Sequence, residues 1–241
     1  MSKSVAHAFI LAAGMGKRMM PLTKERPKPM VEIFGQPIIG HILDHLKQAG
    51  VTHVTVNGYY KAEVLKTYLE TRDDLEISFS EETELLDTGG GLMKAMHTMP
   101  DERPFYIING DAFWTNPASG SFVLKQLADF WDETKMDLAL CVEPIIHMAK
   151  DMGVGDYQIN SDKRLIRALD KSGDNMFTGI RITDKRLFAD APKDQAFSFM
   201  ALMDEAQKRE RLYGLVNPGR WYHLSTPEDL LKTQERLDRN A

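Results

Sequence analysis

The chain has 241 residues, carries a formal net charge of −5 and is 43% hydrophobic and 27% charged, the profile of a soluble globular protein able to bury its own core. No apolar stretch approaches the ~20 residues of a membrane span, and the first apolar run is too short for a secretory signal, so a cytoplasmic protein is expected. A single cysteine, Cys141, excludes an intramolecular disulfide framework, and an acidic balance without a long basic face argues against nucleic acid as a partner.

In chain order, apolar runs alternate with helical patterns, which predicts βαβ units and a largely parallel sheet. Val5 to Leu11 reads as the first strand, and Pro37 to Ala49 as a helix opened by Pro37 and stopped by Gly50. A strand over Val51 to Asn57, a helix over Lys61 to Glu70 and a strand over Leu75 to Ser80 follow. Leu92 to Met99 reads as a short helix preceded by three glycines, Gly89, Gly90 and Gly91, whose place before a helix N-terminus favours close approach of a ligand over a mere flexible turn. Phe105 to Asn109 is a strand, apolar up to Ile108, that delivers Asn109-Gly110-Asp111 at its C-terminal end. Ser121 to Glu133 is a predicted helix and Asp137 to Val142 a strand. Beyond Glu143 the rhythm changes to a hairpin, Asp156 to Ile159 against Leu165 to Leu169, and then a strand over Phe177 to Ile182. A helix over Phe197 to Arg211 and short strands at Leu212 to Val216 and Trp221 to Leu224 lead to a last helix. That helix is expected to be capped by Thr226 with Pro227 in its first turn. His41 and His45 lack the H-E-x-x-H metal pattern, and Cys141 and the Met200–Met203 pair read as packing.

The segment from Leu11 to Arg18 carries the chemistry. A strand ends in Ala12-Ala13-Gly14-Met15-Gly16, and the cations Lys17, Arg18, Lys24, Arg26 and Lys28 follow within an acidic protein. Glycines let a backbone approach a polyphosphate closely, and Arg and Lys neutralise it. A Walker loop is excluded because Arg18 follows Gly16-Lys17, and a Rossmann turn because position 19 is Met.

What remains, G-x-G-x-R with Pro27-Lys28-Pro29 downstream, resembles the signature of the sugar-1-phosphate nucleotidyltransferases. The resemblance continues through Leu85 to Gly91, Asn109-Gly110-Asp111, Phe177-Thr178-Gly179-Ile180 and Thr226-Pro227, and so covers nearly the whole chain. Within that superfamily the chain most resembles the short uridylyltransferases acting on N-acetylmuramate 1-phosphate. The resemblance implies an α/β fold, a Rossmann-like three-layer sandwich with a mostly parallel central sheet of the nucleotide-diphospho-sugar transferase type. It implies one domain over residues 1–241, with a nucleotide-binding half to about 143 and a sugar-phosphate-binding half from about 144.

The implied reaction is attack of a sugar phosphate on the α-phosphorus of a nucleoside triphosphate, UTP being favoured, with loss of pyrophosphate. Transfer of another base or onto another hexose phosphate, or a catalytically impaired nucleotide-sugar-binding protein, are the alternatives. By resemblance, Leu11, Ala12, Ala13, Gly14, Met15, Gly16 and Lys17 meet the nucleotide, with Glu82, Thr88, Gly89 and Gly90 at the base; Glu81 and Glu84 are alternatives to Glu82 for the acid that reads the base. Arg18 faces the leaving pyrophosphate, Lys28 bridges the two phosphates, and Asp111 holds Mg2+. Asn109, Asp156, Asn175, Thr178 and Gly179 are the implied sugar contacts, with Arg181 or Arg220 for a carboxylate on the sugar. The family's second metal carboxylate, in a W-x-D-x-G-T-P segment, is His223 in this chain. His223 is then a phosphate or water contact, a direct ligand that shifts preference to Mn2+ or Co2+, or the mark of a protein without turnover. A monomer or weak homo-oligomer is expected.

Overall fold

A computed structural model describes residues 4–100, 104–117, 122–148, 154–193 and 195–239. The first half follows the expected alternation. Strand β1 (His7–Leu11) leads to a small hairpin, β2 (Glu32–Ile33) with β3 (Gln36–Pro37), and then to α1 (Ile38–Ala49), β4 (His53–Gly58), α2 (Ala62–Leu69) and β5 (Glu76–Glu81). Next come α3 (Asp87–Ala95), β6 (Phe105–Asn109), β7 (Phe113–Thr115), α4 (Val123–Phe130) and β8 (Leu138–Pro144). The second half supplies the hairpin β9 (Tyr157–Ile159) and β10 (Leu165–Arg167), the long β11 (Asn175–Thr183), α5 (Met200–Lys208), β12 (Leu212–Val216), β13 (Arg220–Tyr222) and α6 (Pro227–Asp238).

The central sheet has nine strands. Strands β5, β4, β1 and β6 are parallel neighbours; β11 runs against both β6 and β8, and β12 is parallel to β8. All strands but β10 and β11 therefore point one way, and the C-terminal ends of β1, β4 and β6 open on the same edge. Helices cover both faces. One apolar layer joins Ile38, Ile42 and Leu46 of α1 and Leu124 and Leu127 of α4 to the sheet. The opposite layer packs Leu92 of α3 and Leu202 and Met203 of α5 on Phe9, Ile107 and Leu140. This is the three-layer α/β sandwich that buried, continuously apolar strands require.

Element ends have local causes. Gly50 takes φ +90 to stop α1. At α6 the Thr226 Oγ1 accepts from the Asp229 N–H at 3.2 Å while Asp229 Oδ2 accepts from the Thr226 N–H at 2.8 Å, closing the expected cap reciprocally. Ser121, the predicted start of α4, lies outside the described residues.

One expectation is corrected here: the helix starts at Asp87 rather than Leu92, so the three glycines do not precede it but lie within α3. The cause is packing from far along the chain. The Phe197 carbonyl accepts from the N–H groups of Gly89 and Gly90 at 2.9 and 3.1 Å, and the Phe197 ring occupies the space a Cβ at Gly89 would need. A Cβ at Gly91 would collide with the Glu82 carboxylate.

His7 is fully buried in β1, with Nε2 at 3.1 Å from Thr55 Oγ1. Burial brings its pKa down to about 4. The folded protein therefore holds a neutral imidazole while the unfolded chain binds a proton below about 6.5. This contribution to stability is complete above that pH and is lost as pH falls towards 4, by up to about 3 kcal/mol. Urea unfolding at pH 7.5 and pH 4.5 checks it: the difference should shrink in His7→Asn.

Candidate active site

At the shared strand edge lies a cavity of about 530 Å3. Its rim is built from the segment after β1, where Leu11, Ala12, Ala13, Gly14, Gly16, Lys17 and Arg18 all line it. Lys17 and Arg18 are exposed and make no ion pair among the described residues, so their charge is free to meet an anion. Gly16 is required twice over. It takes φ +59, and a Cβ there would stand 2.9 Å from the Cβ of Lys28. The glycine thus lets the basic turn fold onto the segment that carries Lys28.

Lys28 sits between Pro27 and Pro29 in a short 3-10 turn and is only 9% exposed. Its Nζ donates to Asp111 Oδ2 at 2.7 Å. Asp111 reaches the cavity from the loop after β6, and its side chain remains 41% exposed. Gly110 permits this approach: its N–H donates to the Leu11 carbonyl at 2.8 Å, and a Cβ would press on Pro29. Three segments distant in sequence are thereby locked together, placing Arg18, Lys28 and Asp111 around one space.

His223 does not line this cavity but a second pocket, with Trp221, Tyr222 and Lys232, yet it feels the charges of the first. Burial, and then the Lys28 and Arg18 cations, lower its pKa, against the opposing pull of Asp229 and Asp111. The imidazole is neutral at neutral pH. Ser225, with a buried hydroxyl that has no partner among the described residues, also lines the cavity.

Several predicted contacts are placed elsewhere. Met15 is exposed and does not line the cavity. Glu82 is 4% exposed and stands behind Asn57, whose Nδ2 donates to its Oε1 at 2.6 Å. Burial pushes the Glu82 carboxyl up despite this bond and the one from the Leu86 N–H. Asn57 Oδ1 in turn accepts from the Ala12 N–H at 2.7 Å, so Asn57 links Glu82 to the glycine-bearing segment after β1. Gly89 and Gly90 spend their N–H groups on the Phe197 carbonyl, leaving Thr88 as the member of that segment that lines the cavity. Sequence reasoning missed Asn57 and Asp87, both in the cavity wall. A polar residue ending an apolar strand was the available signal for Asn57, as it was for Asp111.

Breaking this relay has an expected cost. Asn57→Leu removes the Asn57 donor from Glu82 Oε1, leaving that carboxylate with the Leu86 N–H, and leaves the Ala12 N–H without its acceptor, a loss of about 2–3 kcal/mol. Denaturant unfolding measures it, and the KM for the nucleotide should rise in parallel.

Of the implied sugar contacts, only Asn109 lines the cavity. Thr178 is 1% exposed and its hydroxyl donates to the Cys141 carbonyl at 2.7 Å, bridging the register shift between β11 and β8. Asn175 is buried where β11 meets β9. The Asp156 carboxylate accepts from Lys171 Nζ at 2.7 Å and from the Phe177 N–H at 3.1 Å. Gly179 packs against Asn109. Arg181 is 3% exposed, packs on the Phe199 ring and is not among the residues that line the cavity; Arg220 is exposed, 3.5 Å from His147 Nδ1. His41 and His45 are packing residues, bonded to the Ile33 and Trp114 carbonyls.

Comparison with known proteins agrees with this geometry. Residues 7–171 match the family model described as nucleotidyl transferase. The chain is 31% identical to N-acetylmuramate alpha-1-phosphate uridylyltransferase of Caulobacter vibrioides, over 98% of this chain and 99% of that protein. It is 29% identical to D-glycero-alpha-D-manno-heptose 1-phosphate guanylyltransferase of Aneurinibacillus thermoaerophilus, over 95% of this chain and 97% of the other. In fold it is similar to a UDP-glucose pyrophosphorylase solved with UDP-glucose, at a TM-score of 0.80 and 16% identity, covering 98% and 100% of the two chains. The chain belongs to the nucleotidyl transferase family, as a sugar-1-phosphate nucleotidyltransferase.

Proposed function

We propose that this protein transfers the uridylyl group of UTP to N-acetylmuramate 1-phosphate, releasing pyrophosphate. The convergence of Gly14, Gly16, Arg18, Lys28 and Asp111 on one cavity carries the transfer chemistry. The near full-length similarity to the Caulobacter vibrioides protein favours the base and the sugar.

The reaction needs no covalent nucleophile. Catalysis is positioning plus neutralisation of charge that moves from the attacking phosphate to the leaving pyrophosphate. The backbone of Gly14 and Gly16 lies where a triphosphate can approach, and Lys17 and Arg18 offset its charge. Lys28 stands between this loop and Asp111, in a position to hold the attacking phosphate against the α-phosphorus.

A divalent cation fits the donor set. Among the described residues no three His, Cys, Asp or Glu side chains form a metal site. Mg2+ commonly takes one or two carboxylates and completes its shell with phosphate oxygens and water, so Asp111 suffices when the nucleotide is present. When bound there, the ion would neutralise triphosphate charge. His223, a neutral imidazole, suits a phosphate oxygen or water better than Mg2+ itself.

The test is pyrophosphate release across UTP, GTP, CTP and TTP with muramate, glucosamine, glucose and mannose 1-phosphates. Selectivity for UTP with N-acetylmuramate 1-phosphate is expected. A preference for GTP with a heptose or mannose phosphate overturns the choice of substrates and keeps the transfer. No release with any pair overturns the reading. For His223, wild type should turn over fastest with Mg2+, and His223→Asp should not raise that rate. A gain with Asp, or a wild type that prefers Mn2+ or Co2+, marks the imidazole as a direct ligand.

A further inference from the structure

Arg181 is a buried guanidinium without a carboxylate. It lies on β11 between Ile180 and Ile182, is 3% exposed, and makes no ion pair among the described residues. Its surroundings are mostly apolar, with the Phe199 ring at 4.3 Å, the Phe177 ring at 5.1 Å and the Met203 sulfur at 4.0 Å, and the buried Tyr157 phenol is a further polar group that interacts with it. Its Nε has no hydrogen-bond partner among the described residues. A cation over two aromatic faces recovers part of its lost hydration, but an apolar side chain of the same volume would be the more stable occupant. Stability does not explain this residue.

Its one strong polar contact does. Arg181 Nη2 donates to Asn109 Oδ1 at 2.6 Å. A guanidinium can only donate, so the amide oxygen of Asn109 must face it and the NH2 group must face away. That NH2 group has room because residue 179 is glycine at φ +83, where a Cβ would lie 3.0 Å from Asn109 Nδ2. Asn109 lines the cavity as the last residue of β6, two residues before Asp111, and its Nδ2 donates to nothing among the described residues. Without Arg181 the amide could rotate and present either polarity; with it, this point of the wall is a donor.

The geometry points to Arg181 as a positioning residue that fixes the Asn109 amide with its NH2 group towards the cavity, to bond an acceptor oxygen of the hexose 1-phosphate. This rests on the sugar-phosphate transfer proposed above. The buried cation acts through Asn109 and touches no substrate itself.

Steady-state kinetics of Arg181→Met, Asn109→Leu and the double variant, with each substrate varied in turn, test this. One lost hydrogen bond of this kind corresponds to about a tenfold change. Arg181→Met should raise the KM for the sugar phosphate about tenfold, with the nucleotide KM within about twofold and Tm equal to or above wild type. Asn109→Leu should do the same, and the double variant should be no worse than either single one, since both remove the same bond. An unchanged sugar-phosphate KM in Arg181→Met overturns the inference. So do losses that multiply in the double variant, or a general loss accompanied by a lower Tm. A wild type inactive on every substrate pair overturns the transfer reading first, and the role of Arg181 falls with it.

Discussion

Lys28→Ala is expected to lower kcat by at least about 100-fold, the scale of removing one group that neutralises transition-state charge. The argument starts from its placement. Lys28 is 9% exposed, its stem packs over Gly16, and its ammonium is held 2.7 Å from Asp111. Such a side chain loses little further freedom when a phosphate arrives, so its charge is pre-positioned. The variant should still fold. The Asp111 side chain it abandons is 41% exposed and can be hydrated in place of its lost partner. Pyrophosphate release at saturating substrates, with circular dichroism as the folding control, checks this. Turnover within a few-fold of wild type in a folded variant would remove Lys28 from the reaction.

Much of this site was legible because its parts are local. A strand-end glycine turn followed by cations, a lysine between two prolines, and a carboxylate after an apolar strand each announce themselves within a few residues. The sheet was legible for the same reason, since continuous apolar strands must be covered on both faces. What escaped depends on contacts between distant segments. The helical state of Gly89 to Gly91 is set by Phe197 and Glu82 packing where side chains would stand. No local pattern distinguishes that from a turn.

The same holds for roles. Glu82 looks like a base-reading acid in sequence, yet it is buried behind Asn57 because Asn57 must be oriented to hold the Ala12 N–H. Arg181 looks like a cation for a ligand carboxylate, but the alternation of β11 turns it inward, away from solvent and onto Phe199. Thr178, within the family-like Phe177-Thr178-Gly179-Ile180 segment, uses its hydroxyl to bridge a bulge. In each case the residue type was suggestive and the partner decided where the side chain is held.

Asp111→Asn is expected to have the largest effect, lowering kcat about 1,000-fold or more. Asn preserves the shape and still offers an oxygen to Lys28, so Tm should stay close to wild type while the negative charge is gone. Loss of that charge removes the one cavity carboxylate that pairs with Lys28, and with it the hard oxygen donor a divalent cation needs. Two readouts separate this from a general defect. The apparent affinity for Mn2+ in the presence of nucleotide should fall, and the nucleotide KM at saturating metal should change far less than kcat. Because Lys28 and Asp111 touch, their variants should not be independent: Lys28→Ala combined with Asp111→Asn is expected to be scarcely slower than Asp111→Asn alone. Multiplying losses would mean that the two residues serve separate steps, and that their 2.7 Å contact has no part in setting up the reaction.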